Sequence, residues 1–536
     1  MSTLAAPDSE TNAESGPITA EGLLRRRAAQ KPDALALVDP PNRHRLGLTR
    51  PRSFSYGEAD EAVDALAAFF IELGLNPGDT IVLQLPNFID APLALLGAWR
   101  AGLSVAVVPM LWRAMEIAKV CDALEPIALI GASHFAEDMP AEMLRDVAAT
   151  RLSVRFVLGF GLSLPDGVSS LDDVIGAGPP SGDKFAPRTQ SGPSLITFTA
   201  RADAPLVPLL RQEDEILAQG AMAVMSLSLD RSDVILNPYP LTGPVGLGLG
   251  LSPWLIGGAT LVQHDPFDYG TFVEQLFASG ATVTALPGAV LDQLAEDGVL
   301  DDPQCRLRGL GRVWSPVELA NRSAPSQDMR PESADRSTFD LYPLGDLASL
   351  IVRPEQSKRR PLVPLGAVHV GANGGDAVFV ETKLADTAAS EVLLRGPVVP
   401  QGRPGGPVLR DGDGFVATGL RGRANGHGGL EATRDAELVH HGGFTIAMSE
   451  LDGLYQAFPG FLDAACFVLP DPIVGDRIFA AVSPSPNAPV SLEALHRFLM
   501  ERGVAPYKFP DKLLVVKDIP RDQTGCITRG EILDQV

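Results

Sequence analysis

Apolar residues along this chain recur at two spacings, and the two alternate. Over 57–73 they fall at Ala62, Leu66, Ala67, Phe70 and Ile71, the three-and-four spacing that turns one face of a helix toward a core. The next apolar run, 80–85, is short and continuous like a buried strand, and it is entered through the turn sequence Asn76-Pro77-Gly78-Asp79. A helix is expected over 91–101 and a strand over 103–108. Strand, helix, strand at this spacing predicts a βαβ unit and a parallel sheet. The alternation continues with helices over 115–124 and 142–149 and strands over 127–130 and 154–158. Ahead of it, 18–31 reads as a first helix, with Leu23 and Leu24 on its apolar side. Segments 34–38 and 53–56 read as paired strands.

The middle of the chain is organised around 195–211, L-I-T-F-T-A-R-A-D-A-P-L-V-P-L-L-R. Its first five residues are β-prone, Pro205 and Pro208 are expected to break regular structure after them, and a helix opens over 213–229. Strand, loop, then helix is where an α/β protein usually holds a phosphate, because backbone N–H groups and a helix N-terminus converge there. This loop contains neither glycine nor lysine. Downstream, 272–279 reads as helix, 282–286 as strand and 323–337 as an exposed polar loop. From about 362 the texture changes to short alternating strands with glycine turns, such as 378–381 and 391–394, which suggests a small β-rich barrel or sheet. The last hundred residues mix helices (448–456, 492–502) with strands (464–469, 478–482, 512–516).

Length and charge narrow the picture. At 536 residues the chain exceeds one compact core. A net charge of −22 argues against nucleic acid and anionic membrane surfaces as partners. Cys121, Cys305, Cys466 and Cys526 are isolated, which suits a reducing compartment and a cytoplasmic location and provides no disulfide framework or zinc site. The uncharged segment 234–264 is long enough to span a bilayer. Its Pro238, Pro240, Pro244 and Pro253, with six glycines, read instead as a buried loop, a glycine-rich helix and a strand over 259–263. Residues 1–17 read as a disordered leader.

Several short segments share an order with one known family. Gly442-Gly443-Phe444-Thr445-Ile446-Ala447-Met448-Ser449-Glu450-Leu451, Ala505-Pro506-Tyr507-Lys508-Phe509-Pro510 and the run from Ile519 to Arg529 resemble the closing domain of the adenylate-forming superfamily. That superfamily comprises acyl-CoA synthetases, peptide-synthetase adenylation domains and luciferases. Glu391 with Gly396-Pro397, and Asp413-Gly414-Phe415-Val416-Ala417-Thr418-Gly419, resemble its approach to the hinge. Asn76–Asp79 and Leu85-Pro86-Asn87 resemble its N-terminal pattern. The resemblance implies an α/β fold: a large N-terminal domain of doubly wound sheets with a small β-barrel-like subdomain (18–436), and a small mobile α+β lid (437–536). It implies carboxylic acid activation with ATP and Mg²⁺ through an acyl-adenylate, transfer to a thiol such as CoA, and a place in fatty acid metabolism.

That chemistry makes four demands. The family's phosphate loop, T-S-G-T-T-G-x-P-K-G, falls on 199–208, where only Thr199 matches; Arg201 and Ala204 replace glycines and Val207 replaces the lysine. Its metal-binding Y-G-x-T-E falls on Tyr342-Pro343-Leu344-Gly345-Asp346, so Tyr342 would stack on adenine and Asp346 would be either a weak metal ligand or a plain exposed turn. Its ribose-binding T-G-D becomes Thr418-Gly419-Leu420, with Arg434 on the second ribose contact and Glu437 on the hinge acid. Its catalytic lysine becomes Cys526. Losing one such preorganised cation typically costs ~3–4 kcal/mol of transition-state stabilisation. On the substrate side, Thr242 replaces a histidine, Val313-Trp314-Ser315-Pro316 replaces a substrate loop, and the glycines of 244–251 would leave room for an acyl group. Two readings remain: an acyl-CoA synthetase-like enzyme with lost or reduced ATP-dependent catalysis, or a non-catalytic relative that binds an acyl or CoA ligand or supports a partner protein.

Overall fold

The computed structural model describes residues 18–180, 195–202, 204–315, 336–352, 363–370, 377–386, 390–400, 402–403, 406–407, 410–424, 429–433, 435–471, 474–486 and 491–534. Arg434, Asp203, the leader 1–17 and most of 323–337 lie outside them.

The two hydrophobic periods of the first half fold as expected. Helix Tyr56–Glu72 starts at a reciprocal cap in which Ser55 accepts from the Glu58 N–H and Glu58 accepts from the Ser55 N–H. Strands Thr80–Gln84, Ser104–Val107, Ala128–Ala132 and Phe156–Phe160 pair in parallel within a nine-stranded sheet. Helix Asp90–Arg100 is buried along its whole length, as a helix between layers must be. An eight-stranded sheet carries Leu35–Val38, Val234–Asn237, Thr260–Gln263, Val283–Pro287, Gly309–Val313 and Ser337–Leu344 in parallel, with Ser53–Ser55 and Ala348–Val352 antiparallel at its edges. One apolar core takes residues from both sheets, including Val105, Leu195, Leu261 and Leu341.

Buried ion networks tie the N-terminal helices to these sheets. Arg100 bonds Asp60 at 2.6 Å and Asp64 at 2.8 Å and reaches Glu21. Arg43 bonds Asp90 at 2.5 Å and Asp39 at 3.2 Å, and Arg52 joins Asp90 to Asp172. The proline-rich stretch 234–264 is a strand, a glycine-rich π-helical turn Gly246–Leu251, a helix Ser252–Gly257 and a strand Thr260–Gln263. No helix among the described residues is long and apolar enough to cross a membrane.

Beyond residue 362 the chain forms a six-stranded antiparallel sheet ordered from Val363–Pro364 through Val416–Ala424 to Gly366–Val370. A smaller C-terminal domain comes after it. Its sheet joins Phe444–Ala447, Leu438–His441, Gly475–Pro484 and Phe461–Asp471, with Lys512–Val515 parallel to Gly475–Pro484. Helices Met448–Gln456 and Leu492–Glu501 pack on it around Leu451, Tyr455, Leu495 and Leu499.

Candidate functional site

The strand expected to open the phosphate loop is longer than its sequence suggests. Leu195–Arg201 turns directly into a second strand, Ala204–Arg211, which runs antiparallel to it with Thr199 opposite Val207 and Arg201 opposite Ala204. Only two residues separate the strands, so the expected strand, loop and helix are a tight hairpin leading into helix Glu213–Leu227. Pro205 and Pro208 do not break the second strand. Proline's φ suits extended backbone, and its missing N–H is tolerated near a sheet margin. Among the described residues, strand Ala204–Arg211 pairs on its outer side with the short strand Gly402–Arg403, through Leu210.

Arg211, the last residue of that strand, is fully buried and sits at the centre of a polar cluster. It donates to Glu215 at 2.7 Å, to the Thr197 hydroxyl at 2.9 Å and to the Leu347 carbonyl at 2.7 Å, and it also reaches the Asp346 carbonyl. The guanidinium therefore clamps the turn after strand Ser337–Leu344. On that turn the Asp346 carboxylate accepts from the Thr199 hydroxyl; burial pushes the carboxyl above its ordinary range despite this bond and the nearby Arg211. Burial likewise pushes Glu215 up to about 7 against the pull of Arg211. Gly345 has φ +59°, and a β-carbon there would lie 2.4 Å from the Thr418 carbonyl oxygen. Glycine thus lets the six-stranded sheet close on this turn.

Thr199, Asp346 and Thr418 are brought together as the motif order implied. Other expected residues are placed differently. Tyr342 is 1% exposed and Leu420 7% exposed, both inside one apolar cluster with Leu209, Leu344 and Leu347, so the tyrosine presents no open ring face for stacking. Thr418 donates to the Val392 carbonyl at 2.8 Å and accepts from the Leu420 N–H at 3.0 Å. Asp346 is half-buried rather than a plain exposed turn residue. Glu437 is exposed, and its carbonyl accepts from the Met448 N–H at 2.9 Å where the chain enters the small domain. Cys526 is exposed on a turn closed by Asp522, and Arg521 ties that turn to Asp463 of the small domain at 2.9 Å.

The glycines of 244–251 do not leave open space. A β-carbon on Gly246 would meet the Pro240 carbonyl at 2.0 Å, one on Gly248 the Ser349 hydroxyl at 2.7 Å, and one on Gly250 the Asn237 amide at 2.8 Å. They admit close packing of neighbouring groups. Trp314 is buried, with its indole N–H on Asp340 at 2.9 Å and Arg312 4.0 Å over its ring. Thr242 lines a small cavity with Leu85, Asn87 and Val108.

Sequence reasoning missed Arg211 and Glu215. Their i,i+4 spacing across a strand-to-helix junction was visible, but spacing alone does not reveal burial. Among the described residues no group of three or more His, Cys, Asp or Glu side chains is placed to hold a metal ion.

Comparison with known proteins agrees with this architecture. The AMP-binding enzyme family matches residues 24–190. The salicyl-AMP ligase / salicyl-S-ArCP synthetase of Mycobacterium tuberculosis is 27% identical over 97% of this chain and 91% of its own length. A salicylyl-CoA synthase / salicylate adenylyltransferase of a Streptomyces species is 26% identical over 94% and 91%. Among solved structures, an amide bond synthetase from Marinactinospora thermotolerans superposes with a TM-score of 0.76 at 18% identity, over 97% of this chain and 99% of that one. The family match over residues 24–190, the full-length relatives and the shared fold make this chain similar to the adenylate-forming AMP-binding enzymes.

Proposed function

We propose that this protein is an acyl- or aryl-acid ligase relative, built for a carboxylic acid and a thiol acceptor such as CoA, in which ATP-dependent activation is lost or much reduced. The observation that carries this reading is the hairpin Leu195–Arg201 and Ala204–Arg211 standing where the family needs a flexible glycine loop. Paired strands hold most of their backbone N–H groups in the sheet or its margin, and a two-residue connection leaves little backbone to wrap a triphosphate. Three features point the same way. Asp346 engages Thr199, and burial raises its carboxyl above the ordinary range. Tyr342 and Leu420 lie in a core cluster. Cys526 supplies no cation. The residues present do not fit ATP and Mg²⁺ in the family's manner.

Thr199, Tyr342, Thr418, Arg434, Glu437 and Asp346 are the vestiges of nucleotide, hinge and metal positions in this reading, and the lid begins at 437. Salicylate-type aryl acids are the first ligands to try, because two relatives are named for salicyl substrates. Calorimetry with ATP·Mg²⁺ is expected to show no binding tighter than millimolar; micromolar affinity would overturn the proposal. Pyrophosphate exchange over a panel of aryl and fatty acids is expected to stay at background.

A second reading, a non-catalytic acyl- or CoA-binding protein that supports a partner, is favoured by the way Thr199 and Asp346 satisfy each other. A thermal shift with CoA alone, without ATP or turnover, would support it.

A further inference from the structure

Away from the candidate site, the small domain meets the large one across a buried ion cluster. Glu116 and Lys119 lie on helix Ala114–Leu124 of the large domain. Glu450 starts helix Met448–Gln456 of the small domain, and Lys508 ends the short turn Pro506–Lys508. The Lys508 ammonium lies 3.0 Å from Glu116 and 3.1 Å from Glu450, and Lys119 lies 2.8 Å from Glu450. The side chains of Lys508, Glu116 and Glu450 are 5%, 3% and 8% exposed. Burial works against the Lys508 charge, but Tyr507, Glu116 and Glu450 outweigh it and hold the ammonium above its ordinary range.

The surrounding seam fixes the same relation between domains. The Met115 N–H donates to the Gly503 carbonyl at 2.9 Å, and the Ala505 N–H reaches Glu116 at 3.3 Å. Within the small domain the Tyr507 ring, next to Lys508, stacks on Phe444 at 4.1 Å. Ser449 donates to the Ala202 carbonyl at the tip of the hairpin, at 3.3 Å. In this orientation the Cys526 turn is exposed and bonded within its own domain.

We propose that Glu116, Lys119, Glu450 and Lys508 form an interdomain latch that sets the resting orientation of the small domain, with one lysine shared by a carboxylate from each side. Glu450 and Lys508 stay paired within the small domain if the domains part, whereas Glu116 loses its only lysine partner in the cluster. Removing Lys508 leaves buried Glu116 without a lysine and facing Glu450, which keeps only Lys119, and this drives the domains apart. Removing the Glu116 charge weakens the seam while leaving the small domain's own pair intact.

The test measures the domain orientation directly. Nitroxide labels go on the exposed Cys526 and on Glu61→Cys, an exposed position of helix Tyr56–Glu72, with half-buried Cys305 changed to Ser. Pulsed EPR on the parent is expected to give one narrow distance distribution. Glu116→Gln is expected to move a third or more of the molecules to a second distance, and Lys508→Met to move most of them, with circular dichroism unchanged. Distributions for Glu116→Gln that superimpose on the parent's would overturn the proposal, as would a parent already spread over several distances. Glu116→Gln is close to isosteric and decides the matter even if Lys508→Met fails to fold.

Discussion

Arg43 and Arg211 are both fully buried arginines of the large domain, yet they serve their neighbours differently. Around Arg43 the charges are shared out: Asp39 and Asp90 meet Arg43, and Arg52 adds a second cation that also reaches Asp172. Burial opposes the Asp90 charge, and the two arginines more than offset it, holding this carboxyl below its ordinary range. Around Arg211 one cation meets one carboxylate, and its other bonds go to Thr197 and to the Asp346 and Leu347 carbonyls. Burial raises Glu215 to about 7 against the pull of that one cation. The first network joins elements through charge pairing. The second fixes the shape of one turn, and burial there raises its acids above their ordinary range.

The largest expected effect breaks the first network. Arg43→Met leaves Asp39 and Asp90 buried with one cation fewer, and urea unfolding is expected to show a loss of about 3–5 kcal/mol. Arg211→Met is expected to lose less, about 2 kcal/mol, because Glu215 takes up a proton once its partner is gone. The deficit should be smaller at pH 6 than at pH 8; equal losses at both pH values would remove the contrast between the two networks.

A subtler effect concerns protons. Burial raises Glu215 from 4.5 to about 7, so between those values the folded state binds more protons than the unfolded chain. Its contribution to stability is therefore greatest below about 4.5 and is lost as pH rises toward about 7. Glu215→Gln is expected to flatten that part of the stability profile, read by urea titrations across the window. Asp39 and Asp265, each raised to about 6 by burial, keep a residual slope of the same sign.

The smallest effect is expected at Cys526. The residue is exposed, so Cys526→Lys should shift stability by less than about 0.5 kcal/mol. Restoring the cation alone should leave pyrophosphate exchange at background, since the hairpin, Tyr342 and Leu420 are unchanged. A large gain in exchange would show that the hairpin is not the limiting defect.

Much of the fold was legible because periodicity reports burial along one element. Helices 57–73, 91–101 and 115–124 and the strands between them match the structure within a residue or two. The pattern over 464–469 marks only the buried centre of a longer strand, Phe461–Asp471. The order of short motifs placed Thr199, Asp346 and Thr418 in one neighbourhood. Packing between distant segments was not legible. Lys508 belongs to a motif visible in the sequence, but nothing local shows that it pairs with Glu116, 392 positions away.

The sequence by itself determined the α/β alternation, the chain order of the two domains, and a stretch 199–208 without glycine or lysine. Tertiary structure decided what that stretch became. Pro205 and Pro208 have the character of strand breakers, yet a strand forms because the edge beside Leu195–Arg201 accepts extended backbone there. The glycines of 244–251 suggest open space, yet Pro240, Asn237 and Ser349 occupy it. Local sequence fixes which conformations each segment can adopt without strain. Which one it adopts, and what fills the gap beside a glycine, depends on partners that only the assembled sheets bring within contact.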